Sequence, residues 1–379
     1  MGEESYHPGL EGVIAGETEI CCVDQGQLLY RGYDIAELAQ HACFEEVAFL
    51  LLHGELPTPA QLSLFRGYLD GHRELPGAVV DMLRAIPPQA PMMDVLRTGV
   101  SMCGHFNTCV AQGRSSLICR AERVLAVVPG LIAARLRLLA GQRPLEYKPG
   151  LSHAAQFIYQ AFGREPTALE EKILNLTMVL YAEHEFNAST FAARVCTSTL
   201  SGLHSSVVAA IGTLKGPLHG GANEAALRLI MQFQSAEQAR AWVEEAIANK
   251  TKIMGFGHRV YRNGDHRAFI LEPYVDELAR ARDEVWRAEI YHAIKQTVWE
   301  RKQIHPNVDY PCGLVYHFLG FPIDTFTPLF VAARVSGWCA HIIEQHENNR
   351  IIRPRSRYVG PAPRAFVPLK ERREALVTS

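Results

Sequence analysis

Apolar residues recur along most of this chain at helical spacing. Thr167-Ala168-Leu169-Glu170 has the form of a capping box, and Leu169, Ile173, Leu176 and Leu180 follow at steps of four, three and four. Ser235 and Gln238 predict a second helix start, ahead of one face built from Ala239, Trp242, Val243, Ala246 and Ile247. Asp34-Ile35-Ala36-Glu37 reads as a third. Sheet signals are confined to the region near the start. There, Glu19 to Asp24 and Gln27 to Arg31 read as short strands about a Gln25-Gly26 turn. Glycine and proline mark boundaries at Gly216-Pro217 and Gly320-Phe321-Pro322. No heptad, repeat or low-complexity tract is sustained. The expected fold class is mostly α, with a short N-terminal β-hairpin.

Composition narrows the function classes. Of 379 residues, 48% are apolar and 21% charged, which is ordinary for a globular protein with a large core. The net charge of −2 gives no bulk attraction to nucleic acid or to a membrane, so any anion site must come from local basic clusters. Apolar runs such as Phe49 to Leu52 are too short to cross a bilayer. Nine scattered cysteines, with no CxxC pair, fit reduced thiols and a cytoplasmic location. The acidic start, Met1-Gly2-Glu3-Glu4-Ser5, lacks the apolar region of a signal peptide.

The segment from Ile253 to Arg267 carries the most chemistry. Met254-Gly255-Phe256-Gly257-His258-Arg259 places a histidine and an arginine beside a glycine-rich turn, with Arg262 and Arg267 close behind. Glycines let backbone amides approach a ligand, arginine forks bind carboxylates or phosphates, and an imidazole can polarise a carbonyl or move a proton. A solvated surface turn is the ordinary alternative. Two further segments repeat the pairing of histidine with small residues: Tyr181 to Thr190, containing His184, and Gly216 to Glu224, containing His219. A fourth, Pro306-Asn307-Val308-Asp309-Tyr310-Pro311-Cys312-Gly313, holds an acid in a proline-bounded loop.

In this combination and order, the chain resembles the citrate synthase family, including the 2-methylcitrate synthases. The likeness runs from Gly9-Leu10-Glu11-Gly12-Val13 to Tyr358-Val359-Gly360-Pro361. It implies a large helical domain formed by residues 1–220 and 324–379, and a small helical domain inserted at 221–323. It also implies condensation of acetyl-CoA with oxaloacetate and water to give citrate and CoA, without a cofactor. Asp309 matches the family's base, His219 the donor that stabilises the enolate, and His258 the acid at the oxaloacetate carbonyl. His184, His258, Arg267 and Arg334 match the oxaloacetate ligands. Arg353 matches an arginine supplied to the neighbouring subunit's site, which implies a homodimer. Arg262 and the backbone of Met254, Gly255, Phe256 and Gly257 match the CoA site.

Each residue also has a plainer reading. His219 could be a core histidine bonded to backbone, Asp309 a loop cap and Arg353 a solvated charge in the tail. Arg334 could form a helix-surface ion pair, but it stands among Leu329-Phe330-Val331 and Val335-Ser336-Gly337-Trp338, which is apolar company that calls for a buried anion. A metal-dependent hydrolase using His184, Glu185, His219, His258 and Asp309 is the rival from another class. His184-Glu185 is followed by Ala188 where an H-E-x-x-H motif needs its second histidine.

Departures from the family pattern are His266, where proline is usual, together with Pro311 and Cys312. Pro311 is expected to push Tyr310 towards extended geometry and shift the Asp309 loop. Cys312 raises the prospect of inhibition by thiol oxidation. The acyl group stays open. Ala15-Gly16-Glu17-Thr18 and Ala182 to Phe186 look like 2-methylcitrate synthases, whereas Ile253 to Tyr261 and Asn307-Val308-Asp309 look like small bacterial citrate synthases.

Overall fold

Strand β1 (Cys21–Asp24) runs antiparallel to β2 (Gln27–Tyr30) with Cys21 opposite Tyr30, and β2 pairs in turn with the two-residue β3 (Tyr33–Asp34). The expected hairpin is therefore the first part of a three-stranded meander. The computed structural model describes residues 6–24, 27–106, 109–257, 261 and 263–372, so the predicted Gln25-Gly26 turn lies outside the described residues. Helices make up most of the remainder. They begin with α1 (Ile35–His41), where Asp34 accepts a hydrogen bond from the Ala36 amide at 2.8 Å, and continue to α5 (Met92–Cys103) and the long α6 (Gly113–Leu139). Next come α7 (His153–Phe162), α8 (Ala168–Tyr181), α9 (Ala188–Ser198) and α10 (Leu203–Leu214).

The α8 capping box is complete. The Thr167 amide donates to Glu170 Oε2 at 2.8 Å, and the Glu170 amide donates to Thr167 Oγ1 at 3.2 Å. Ile173, Leu176 and Leu180 are buried, as their spacing predicts. Asn187 caps α9, accepting from the Thr190 amide.

After Gly221 come α11 (Ala222–Ile230), α12 (Ala236–Ala248), α13 (His266–Leu271), α14 (Pro273–Ala281), α15 (Val285–Lys302) and α16 (Asp309–Phe318). Ser235 caps α12, and Ala239, Val243 and Ala246 are buried on the predicted face. These six helices find most of their helix partners among themselves: α12 lies on α15, α11 on α16, and α14 on both α15 and α16.

The last long helix, α17 (Phe326–Glu347), is the axis of the larger group and packs against α6, α8, α9 and α10. Almost all of its residues are buried. The stretch Ile323–Glu347 is long and apolar enough to span a bilayer, which the sequence reading overlooked, but its apolar window is enclosed by the protein's own core.

Helices α11 and α16 approach closely because residue 313 is glycine. A β-carbon at Gly313 would lie 2.5 Å from the Asn223 carbonyl oxygen and 3.3 Å from the Leu227 nitrogen. Backbone atoms cannot swing aside, so Gly313→Ala is expected to overpack this contact and cost about 1–3 kcal/mol. A chemical-denaturation midpoint that stays at the parental value would contradict this packing.

Candidate active site

The loop before α16 is tied to the glycine-rich turn by backbone. The Asn307 amide donates to the Gly255 carbonyl (2.9 Å), the Gly257 amide donates to the His305 carbonyl (2.9 Å), and the Asn307 side-chain amide donates to the Gly257 carbonyl (3.0 Å). Two sequence motifs some fifty residues apart thus form one structural unit. Asp309 begins α16 there, and its Oδ1 accepts a hydrogen bond from the buried Tyr181 hydroxyl at 2.7 Å. Burial pushes the Asp309 carboxyl above the ordinary carboxylate range. The Tyr181 bond and the charges of Arg267 and Arg334 pull the other way, while Asp265 adds to the rise.

His219 stands in the turn before α11, against the start of α9. Its Nε2 accepts from the Ser189 amide at 3.2 Å and lies 2.9 Å from Ser189 Oγ. A backbone amide can only donate, so Nε2 must offer a lone pair, and the ring proton belongs on Nδ1. Burial, reinforced by the Arg334 charge, lowers the His219 pKa to about 4. The imidazole is therefore neutral at pH 7, with an N–H available on the side away from Ser189. Ser189 is fixed in turn by Asn187 and Trp338.

Arg334, on α17, is almost wholly buried at 2% exposure. Its Nε donates to the Tyr181 carbonyl at 2.6 Å, and its guanidinium lies 4.6 Å from the Phe330 ring centre. Among the described residues no carboxylate comes within ion-pair distance of it. Arg267, on α13, is buried too, but it is already engaged: Nε and Nη2 form a two-pronged pair with Asp265, at 3.0 and 2.9 Å. Asp265 also accepts from the Val308 amide at 3.0 Å, linking Arg267 to the residue before Asp309. The His184 ring meets Tyr261 edge-on, with centres 5.7 Å apart. Arg334 thus acts electrostatically on both Asp309 and His219, while Arg267 acts on Asp309 and on Tyr261 beside His184.

Not every expected residue falls in this cluster. His258 and Arg262 lie outside the described residues. Arg353 is exposed on an extended segment beyond α17, anchored where the Ile352 amide donates to Ser198 Oγ. Met254 to Gly257 form the turn already described. Among the described residues, no group of three His, Cys, Asp or Glu side chains gathers as a metal site would require.

Two expectations are corrected. Tyr310 is helical rather than extended, because Pro311 sits in the first turn of α16, where its missing N–H removes no helix bond. Cys312 is fully buried, and burial drives its thiol pKa upward, so it is neither exposed nor ionised as oxidation requires. His266 is the first residue of α13, a position that proline also suits, which makes the exchange a mild one. Tyr181, Glu183, Ser189 and Asp265 were missed as site residues. Asp265 could have been found, because an acid two residues before an arginine is both a helix cap and a partner.

The family model described as "Citrate synthase, C-terminal domain" matches residues 9–355. A protein of Shewanella oneidensis named 2-methylcitrate synthase is 44% identical over 369 residues, covering 96% of this chain and 97% of that one. A protein of Mycolicibacterium smegmatis named citrate synthase is 42% identical, with coverage of 95% and 97%. Among solved structures, citrate synthase from Pyrobaculum aerophilum matches with a TM-score of 0.90 at 38% identity, covering 96% of this chain and 95% of that one. The ternary complex of Thermoplasma acidophilum citrate synthase with carboxymethyl coenzyme A and oxaloacetate matches with a TM-score of 0.91 at 34% identity, covering 97% and 100%.

The His219 environment makes a pH prediction. Its lowered pKa keeps the ring neutral throughout pH 5.5–8, whereas an ordinary histidine gains its proton near about 6.5. In nitrogen-15 spectra of labelled histidines, the ring whose signals are lost in His219→Gln should not titrate in that window. A His219 midpoint above 6 would overturn the assignment.

Proposed function

This chain belongs to the citrate synthase family, and we propose that it condenses acetyl-CoA with oxaloacetate, releasing citrate and CoA. What carries the reading is the pairing of Asp309, whose basicity is raised by burial, with a neutral His219, beside an arginine that has no carboxylate within ion-pair distance among the described residues. Burial moves Asp309 upward and His219 downward, so the carboxylate gains basicity while the imidazole keeps a neutral N–H.

In the proposed reaction, Asp309 takes a proton from the thioester's α-carbon. The His219 Nδ1–H stabilises the enolate oxygen as charge develops there, an effect worth about 2–4 kcal/mol for a preorganised donor. The enolate carbon attacks the keto carbon of oxaloacetate, and the forming alkoxide takes a proton from His258, a role that rests on motif matching. Water then hydrolyses the citryl thioester, and the sulfur leaves as CoA thiol. Arg334, Arg267 and His184 hold the keto-diacid, while Arg262 and the turn at 254–257 face CoA. Residues 221–323 form the small domain in this reading, which the mutual packing of α11 to α16 supports.

Propionyl-CoA is the second reading, favoured by the 44% relative's name and by the Ala182 to Phe186 motif. One methylene separates the two acyl groups, a difference that a pocket resolves by only about 1–3 kcal/mol.

Arg353 is proposed to complete the site of a second copy. Its exposure supports this, as does the exposed apolar arm that follows it, including Tyr358, Val359 and Phe366.

Thioester cleavage dependent on oxaloacetate is the direct test, with kcat/KM compared for acetyl-CoA and propionyl-CoA. Asp309→Asn should lower kcat by roughly a hundredfold to ten-thousandfold; near-parental turnover in that variant would remove Asp309 as the base. For the shared site, Asp309→Asn chains mixed with Arg353→Ala chains should recover on the order of a quarter of parental activity. Half of the exchanged dimers are hybrids, and each restores one of its two sites. No recovery after verified subunit exchange would refute the shared arrangement.

A further inference from the structure

Behind the candidate site runs a buried chain of charged and polar groups that the reaction scheme does not use. Glu183 and His341 are both fully enclosed, and Arg194 is 5% exposed. Arg194 Nη1 lies 2.9 Å from His341 Nδ1. A guanidinium only donates, so Nδ1 accepts, and the ring proton sits on Nε2, 2.9 Å from Glu183 Oε1. Outward, Arg194 pairs with Glu344 at 2.7 Å, and Glu344 accepts from the Glu19 amide at 2.8 Å.

At its inner end the chain reaches the substrate arginine. Glu183 Oε2 is buried and has no hydrogen-bond partner among the described residues. It faces α17 at Gly337, where a β-carbon would lie only 2.1 Å from it, so the carboxylate occupies space that any larger residue would fill. Gly337 is one helical turn beyond Arg334 and so shares its face. Arg334 in turn grips the Tyr181 carbonyl, two residues before Glu183. The Tyr30 hydroxyl donates to the Glu183 carbonyl at 2.9 Å, fixing the same backbone from a third side. Just past His184, Glu185 adopts φ +55°, a left-handed conformation that persists in a non-glycine residue only where its surroundings enforce it.

We propose that Glu183, held by His341 and through it by Arg194, is a positioning residue that sets the charge balance of the keto-diacid site by supplying the counter-charge that, among the described residues, Arg334 lacks at close range. This rests on the reading of Arg334 as an oxaloacetate ligand. Glu183 exerts the largest attraction on the Arg334 charge, although it lies beyond ion-pair distance. A dianion entering the site therefore meets a guanidinium whose field is partly cancelled, and it is itself repelled by Glu183. The separation leaves Arg334 open to substrate, while the charge makes its burial tolerable. Affinity is thereby restrained, and the backbone leading to His184 stays fixed.

The proposal predicts a gain in binding, which mere structural damage would not produce. In the full-length enzyme, Glu183→Gln keeps the shape and an acceptor for His341 but removes the charge. Its dissociation constant for oxaloacetate, measured by titration calorimetry, should fall roughly threefold to tenfold. KM for the acyl-CoA should change by less than about twofold, since no charge facing CoA is altered. Glu183→Asp restores the charge and should return oxaloacetate affinity to near the parental value. An unchanged or weakened affinity in a Glu183→Gln protein with a parental circular dichroism spectrum would overturn the proposal, as would failure of Glu183→Asp to reverse the gain. Parental enzyme that binds oxaloacetate yet cleaves no thioester would overturn the reaction alone and leave this inference standing. Parental enzyme that binds no oxaloacetate would overturn both.

Discussion

A guanidinium buried on the axial helix, with no carboxylate in contact among the described residues, is the constraint around which this site is arranged. Arg334 belongs to α17, whose neighbours enclose it almost completely. Burying a charge is costly unless something compensates, and the compensation here is spread among several groups. The Tyr181 carbonyl takes one N–H, the Phe330 ring lies beside the guanidinium, and Glu183 acts from a distance. Among the described residues, none supplies the guanidinium with the close carboxylate that its fork geometry suits best. Arg267 makes a useful contrast: its two-pronged pair with Asp265 already satisfies it, so that arginine also serves to join α13 to the Asp309 loop.

The same positive charge lowers the pKa of both titrating groups, while burial moves them in opposite senses. It opposes protonation of His219, adding to burial, and so preserves a neutral N–H donor. At Asp309 it favours the anion, but burial outweighs it, and the carboxyl gains basicity. A neutral imidazole is the weaker acid, yet it holds its proton at neutral pH, as a donor to a developing oxyanion must. The Ser189 amide fixes which nitrogen carries that proton. The acid–base character proposed for this pair thus rests on burial, one charge and one backbone amide.

Local signals explain why the helices were legible. Thr167 with Glu170, Ser235 with Gln238, and Asp34 at the start of α1 all cap where their spacing indicates, because capping involves residues within one turn. The third strand was missed because two residues carry no alternation to read. Pro311 was misjudged for a definable reason. The rule for residues preceding proline describes a chain free to extend, whereas the first turn of α16 already tolerates a residue without an N–H. Site residues recognisable by motif stood out, but their supports did not. Tyr181 reaches Asp309 across 128 positions and His341 reaches Glu183 across 158, and no periodicity encodes such contacts.

The split between the relatives' names has a physical basis in this arrangement. In the proposed reaction, the base, the enolate donor and the carboxylate-binding arginines act on the thioester's α-proton and on the keto-diacid, which are common to acetyl and propionyl substrates. The catalytic set is therefore blind to the extra methyl, and relatives named for either product can share it. Discrimination has to come from side chains packed around the α-carbon. In the proposed reaction Tyr181 is well placed to contribute, because it is fully buried and its hydroxyl touches Asp309, the proposed base. Any change there that widened the pocket would also remove a hydrogen bond that lowers the Asp309 pKa. In the proposed reaction, a change at Tyr181 that enlarged the acyl pocket by removing the hydroxyl would therefore also raise the pKa of Asp309.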